Sequence, residues 1–353
     1  MKQRKTYIDY LRIVATLSVL ISHVAAEFWY GLDVRSLDWH IINVLESALR
    51  WCLAAFVMIS GSIFLSRDIP IKALYTKYIP RMVISYVFWS LLYAVVGLSS
   101  HYGLTGMPIG KLIKQTVNGW FHMWYIPMII GLYMCIPIFK QIIQSKKVTK
   151  YFLCLSFVFS FLLSQTALIS RDFLSGSLAE GIKQVYGIIT QNMAINTVTG
   201  FAFYFILGYY INTIEFDRKQ RSLIYVLGIL GFVATVALTA AASVKSGKES
   251  TDYYDHFCIN ILMMAIAAHT WFRYRTYNHE KVNGVIRTFA NCSFGVYMNH
   301  ILLMNLLLFK LQFRTLFDSP LLNIPVICII LIIASFSLSR VIRSIPVLKN
   351  WIV

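Results

Sequence analysis

Apolar residues run in long, nearly unbroken stretches along the whole chain, and polar residues gather in the short segments between them. Stretches near the ~20 residues that cross a bilayer as a helix recur at about 8–28, 42–65, 79–98, 122–139, 152–170, 197–214, 223–243, 256–272, 289–309 and 319–339. This pattern predicts an all-α, polytopic membrane protein with about ten transmembrane helices. It predicts a single membrane domain over residues 1–353 and no appended soluble domain. The longest intervening segments, 99–121 and 171–196, contain Gly and amphipathic stretches and are expected at the membrane surface. Within the second, 174–190 reads as an interfacial helix or an ordered loop. No sequence repeat and no low-complexity tract interrupts the pattern.

Composition agrees with this reading. The 353 residues are 58% hydrophobic and 13% charged, against about 25% charged in a soluble chain. That leaves too little polar surface for a water-soluble particle. The formal charge of +17, from 32 Lys and Arg against 15 Asp and Glu, is informative through its location. With the N-terminus in the cytoplasm, Lys2, Arg4 and Lys5 and the segments 67–81, 140–150, 215–221, 273–287 and 340–349 face inward and carry the entire excess. The outer loops cancel, as do Asp9, Arg12, Glu46 and Arg50 within the spans. This is the bias expected of short cytoplasmic loops. It predicts both termini inside and a bilayer, with no nucleic acid, as the partner of the positive charge. The six cysteines lie in or beside spans without metal-type spacing and read as small apolar packing groups. The basic start resembles a secretory leader, but Asp9 and Arg12 interrupt its apolar stretch and no A-x-A site follows.

Candidate chemistry is carried by polar groups inside the spans, where ionisable residues are costly and point to function by default. Arg12 and His23 are eleven residues apart, within about 20° of whole helical turns and about 16 Å along the axis. They share one face of the first span, and Asp9 and Glu27 extend the stripe at helical spacing. Arg12 reads either as a residue snorkelling to the inner interface beside Asp9 or as a grip for a cytoplasmic anion. His23, in the outer third, reads either as a neutral core histidine or as a general base, with Glu27 placed to set its tautomer. Glu46 and Arg50 form an i,i+4 pair in the second span, either for packing or as part of a site. Ser60 and Gly61 are suited to close helix approach. Lys77 and Arg81 open the third span, as ordinary inner anchors or as anion contacts. Trp124 fits an aromatic belt or a site. Tyr297 and His300 lie one turn apart near mid-membrane and need partners. A phosphorylated donor at the inner face with its reactive end reaching inward fits this set, and so does a proton or ion pathway.

The ordered residues resemble the acyltransferase 3 family of bacterial membrane acyltransferases. The resemblance rests on Arg12-x10-His23 in a first span opening Tyr-Ile-Asp-Tyr-Leu-Arg, Arg50 before Phe56-x3-Ser60-Gly61, and the basic residues before the third span. It continues through His122-x-Trp124-Tyr125-Ile-Pro, Gly208-Tyr-Tyr and Ser293-x3-Tyr297-x2-His300. It runs from about Tyr7 to the last span and is similar in detail to the branch that contains the enterobacterial common antigen O-acetyltransferase. The resemblance implies transfer of an acyl group, usually acetyl, from acyl-CoA to a hydroxyl of a cell-surface or lipid-linked glycan, in the bacterial inner membrane. It implies His23 and Arg12 as essential residues, with acyl-CoA as co-substrate and no metal or other cofactor. The family often carries Arg-x-x-Arg before its third span; Tyr78 and Arg81 stand there in this chain, with Lys77 adjoining. In this scheme Arg12, Lys77 and Arg81 bind the donor's phosphates, His23 removes the acceptor's proton, and Arg50 or Tyr297 stabilises the oxyanion. A covalent acyl-His23 intermediate is the second route. The rival functions are an exporter or flippase of a polysaccharide or lipid-linked sugar, and a non-catalytic partner in a glycan assembly complex.

Overall fold

The computed structural model describes residues 5–103 and 105–352, and among these every regular element is helical. Seven helical segments among the described residues are long and apolar enough to cross a membrane. They are Thr6–Trp29, Leu37–Phe64, Ile71–Tyr102, Lys146–Phe173, Arg218–Ser246, Glu280–Lys310 and Pro320–Ser344. Two bent pairs, Phe121–Met134 with Ile136–Gln144 and Gly176–Asn192 with Ile195–Ile211, bring the number to nine if each pair is one crossing. The protein is therefore a multi-pass membrane protein. The expected segment 256–272 falls on the helix Ile259–Arg273, whose 15 residues are fewer than the ~20 of a full crossing. The stretch 174–190 falls mostly on the helix Gly176–Asn192.

Nine helices are used below: α1 (Thr6–Trp29), α2 (Leu37–Leu49), α3 (Cys52–Phe64), α4 (Ile79–Tyr102), α5 (Ala202–Ile211), α6 (Arg218–Ser246), α7 (Ile259–Arg273), α8 (Glu280–Asn305) and α9 (Pro320–Ser344). Local sequence sets several ends. Asp9 in the first turn of α1 complements the helix dipole. Asp217 and Gln220 cap the start of α6 reciprocally, and Gly247 ends it in the left-handed region at φ 71°, where a side chain would add strain.

The chain divides into two compact units. The first comprises residues 1–67 and 138–286. In it Tyr7, Ile8 and Leu11 of α1 pack with Ala55 and Ile59 of α3 and Phe272 of α7. Helices α3 and α5 approach backbone to backbone. A Cβ on Gly61 would fall onto the Phe205 carbonyl, and one on Gly208 onto the Met58 carbonyl. The expectation that Gly61 serves close helix approach is met at this contact.

The second unit comprises residues 68–137 and 287–353. Here Tyr93 of α4 donates to the Met298 carbonyl at 2.8 Å and accepts from the Leu302 amide at 3.0 Å. Asn299 donates to the Ser335 carbonyl at 3.2 Å and to Ser339 Oγ at 3.0 Å, which ties α8 to α9. Ser85 and Trp89 of α4 donate to the Trp351 and Ile352 carbonyls at 2.5 and 3.1 Å. These bonds satisfy polar groups that would otherwise be costly away from water.

Candidate active site

Helix α1 runs unbroken past both Arg12 and His23, so the shared face expected from their spacing exists as one rigid element. Asp9 is buried at 4% exposure, and Arg12, His23 and Glu27 are each half-buried. Thr16 donates to the Arg12 carbonyl at 2.8 Å. The N-terminal end of α1 is held by its two tyrosines. Tyr7 donates to Asn212 Oδ1 at 2.6 Å, just after α5, and Tyr10 donates to Asn283 Oδ1 at 3.0 Å on α8.

Glu46 and Arg50 are joined as an ion pair through Glu46 Oε2. The same oxygen accepts from Ser22 Oγ at 2.9 Å, the residue immediately before His23. Glu46 is fully buried, and its Oε1 has no hydrogen-bond partner, as is true of Arg50 Nε. The Arg50 guanidinium lies 4.2 Å from the centre of the Tyr254 ring, a cation–π contact. Tyr254 donates to Asn43 Oδ1, and Asn43 in turn donates to the Val236 carbonyl at 3.1 Å. Burial pushes the Tyr254 phenol above its usual range, with the Arg50 charge opposing and the Glu46 charge adding. It therefore stays a neutral donor. Trp29 stacks on Trp39 at 5.4 Å and meets Tyr254 at 5.6 Å, closing this end with aromatic rings.

The first unit thus holds Arg12, His23, Glu27, Glu46 and Arg50, and links the last two to α1 through Ser22. Ser22, Asn43 and Tyr254 carry no sequence signal of their own. Each is an ordinary residue that becomes part of the cluster through a partner on another element.

The second unit holds Lys77, Arg81, Trp124, Tyr297 and His300. Tyr297 and His300 sit in a cluster of rings with His122, the histidine of the His122-x-Trp124 motif. The His122 ring is 5.2 Å from His300, 5.5 Å from Tyr297 and 5.3 Å from Tyr93. The Tyr297 hydroxyl donates to the His122 carbonyl. His300 Nδ1 faces the Tyr297 carbonyl at 2.8 Å and the Val296 carbonyl at 3.2 Å. Carbonyls only accept, so Nδ1 carries the hydrogen and Nε2 is the basic nitrogen of the neutral ring. Trp124 is exposed, while the next ring, Tyr125, lies 5.8 Å from Tyr297. Lys77 is exposed on a π-helical turn, Leu74–Tyr78, with its ammonium 5.7 Å from the Tyr78 ring. Arg81 is half-buried in the first turn of α4, where the charge of Arg343 on α9 bears on it.

The cluster thus joins a carboxylate–guanidinium pair to α1 at Ser22, the residue before His23; a histidine can transfer a proton and a guanidinium can stabilise developing charge. No curated protein and no solved structure matches the chain. The family model for the acyltransferase domain, acyltransferase 3, matches residues 5–340.

Proposed function

The chain belongs to the acyltransferase 3 family, and from that premise we propose that this membrane acyltransferase is an O-acetyltransferase. It moves acetyl from acetyl-CoA to a hydroxyl of a cell-surface or lipid-linked glycan at the bacterial inner membrane, as in the branch that modifies enterobacterial common antigen. The observation that carries the reading is the single rigid helix α1 with Arg12 and His23 on one face and Ser22 bound to the Glu46–Arg50 pair.

In the proposed reaction a ring nitrogen of His23 takes the proton of the acceptor hydroxyl as its oxygen attacks the thioester carbon. The carbonyl oxygen gains negative charge, and Arg50, whose Nε–H has no partner, donates to it. The C–S bond then breaks, and the leaving CoA thiolate takes the proton from His23. Glu27 sets the His23 tautomer. Tyr297 already spends its hydroxyl on the His122 carbonyl, so the oxyanion is assigned to Arg50. Arg12 binds the donor's phosphates through charge-assisted hydrogen bonds.

The test is release of CoA thiol from acetyl-CoA by membranes containing the protein. The wild type is expected to release thiol when a glycan acceptor is present. His23→Ala is expected to lower kcat by about 10²–10⁴, the usual worth of a general base, and Arg12→Ala to raise KM for acetyl-CoA. Equal rates for wild type and His23→Ala at equal membrane levels would remove His23 from the reaction.

A further inference from the structure

A cleft in the first unit lies apart from the residues assigned to acyl transfer. It has a volume of about 320 Å³ and is lined by the start of α6 and the end of α7. Arg218, Arg221, Ser222 and Tyr225 come from α6; Trp271, Tyr274 and Arg275 come from α7 and the residues just beyond it. The arginines are braced by rings: Arg221 lies 4.6 Å from the Tyr274 ring centre and Arg275 lies 4.5 Å from that of Trp271. None of Arg218, Arg221 and Arg275 is in an ion pair among the described residues.

The nearby carboxylates are already engaged. Glu215 accepts from Arg273 at 2.5 Å and from the Tyr274 hydroxyl at 2.8 Å. Asp217 caps α6 through the Gln220 amide at 2.8 Å. Arg273 is committed as well, since it also donates to the Ile211 and Ile214 carbonyls at 2.5 and 2.6 Å. Three uncompensated guanidinium groups therefore converge on one cleft at the positive N-terminal end of a 29-residue helix. Ser222 and Tyr225 add hydroxyl donors. This donor set suits a phosphate oxygen cluster.

The surroundings choose the source of that phosphate. Four and eight residues beyond Tyr225, Ile229 and Val233 continue the cleft's side of α6 as an exposed apolar stripe at helical spacing. Trp271 is exposed beside the cleft, as expected of a ring at the membrane–water boundary. The positive-inside bias of the chain puts this end of α6 at the cytoplasmic surface, where anionic lipids bind basic pockets between helices. A soluble anion would have no use for the stripe, whereas an acyl chain would lie along it.

We propose that the cleft formed by Arg218, Arg221 and Arg275 is a binding site for the headgroup phosphate of an anionic phospholipid, whose acyl chain runs along Ile229 and Val233. The site acts independently of which acyl acceptor the protein uses.

The full-length protein is reconstituted in nanodiscs of phosphatidylcholine with and without phosphatidylglycerol, and bound lipid is read by native mass spectrometry together with the melting temperature. Inorganic phosphate and CoA are added to separate phosphatidylcholine samples. Wild type is expected to retain phosphatidylglycerol adducts and to melt higher with phosphatidylglycerol than with phosphatidylcholine. The variant carrying Arg218→Gln, Arg221→Gln and Arg275→Gln is expected to lose both the adducts and the shift, while melting like wild type in phosphatidylcholine. Arg275→Gln alone, at an exposed position outside the helices, is expected to weaken both readouts and guards against misfolding of the triple variant. Undiminished adducts and shift in both variants would overturn the site. Protection by inorganic phosphate or CoA equal to that by phosphatidylglycerol would overturn the lipid.

Discussion

Glu46 concentrates the physics of the first unit in one side chain. It is fully buried, one oxygen serves both Arg50 and Ser22, and the other has no hydrogen bond. Removing its charge leaves the guanidinium without its counter-ion. The Arg50 side chain is 23% exposed, so solvent recovers part of the loss. We expect Glu46→Gln to cost about 1–3 kcal/mol, read as a lower melting temperature in detergent, with a fall in transfer rate at equal folded protein. An unchanged melting temperature and rate would mean that the pair is incidental. The i,i+4 spacing made Glu46 and Arg50 legible in the sequence, as whole helical turns did for Arg12 and His23. Ser22, Asn43 and Tyr254 were not legible, because periodicity reports the face of one helix and is silent on what meets that face. His122 is a mixed case: its motif marked it, but its ring contacts with Tyr297 and His300 come from packing within the second unit.

At the scale of elements, the apolar stretches located the helices well, because the bilayer imposes both length and composition. The stretch 171–196, expected at the membrane surface with an interfacial helix or ordered loop at 174–190, contains the helix Gly176–Asn192, which meets Ile195–Ile211 at a bend of 73°. Average hydropathy carries no information about such a bend. Glycine is where sequence and packing meet most sharply. A Cβ at position 208 would meet the Met58 backbone, which cannot rotate away. Gly208→Ala is therefore expected to separate α3 from α5 at a cost of at least about 1–3 kcal/mol, the usual penalty of overpacking. Gly131→Ala, whose Cβ would enter open space, is expected to be neutral or slightly stabilising. Melting temperatures of the two variants check this, and equal effects would contradict the backbone contact.

For the whole molecule, the charge of +17 is the strongest global signal, and it predicts orientation. In a background without the six native cysteines, Lys147→Cys is expected to react with an impermeant maleimide only after the membrane is opened. Lys248→Cys is expected to react in intact cells, and the reverse pattern would invert the topology. The charge says nothing about how the chain divides into two units of non-contiguous residues, since that division comes from contacts distant in sequence. The central claim concerns chemistry at His23, and it is tested by counting O-acetyl groups on surface glycans by mass spectrometry. Wild type and His23→Ala are expressed in a host lacking the protein, at equal membrane levels. Loss of O-acetyl groups with unchanged glycan export is the predicted result, and the modified sugar would identify the acceptor. Unchanged acetylation with altered glycan export would contradict acyl transfer and favour a transporter.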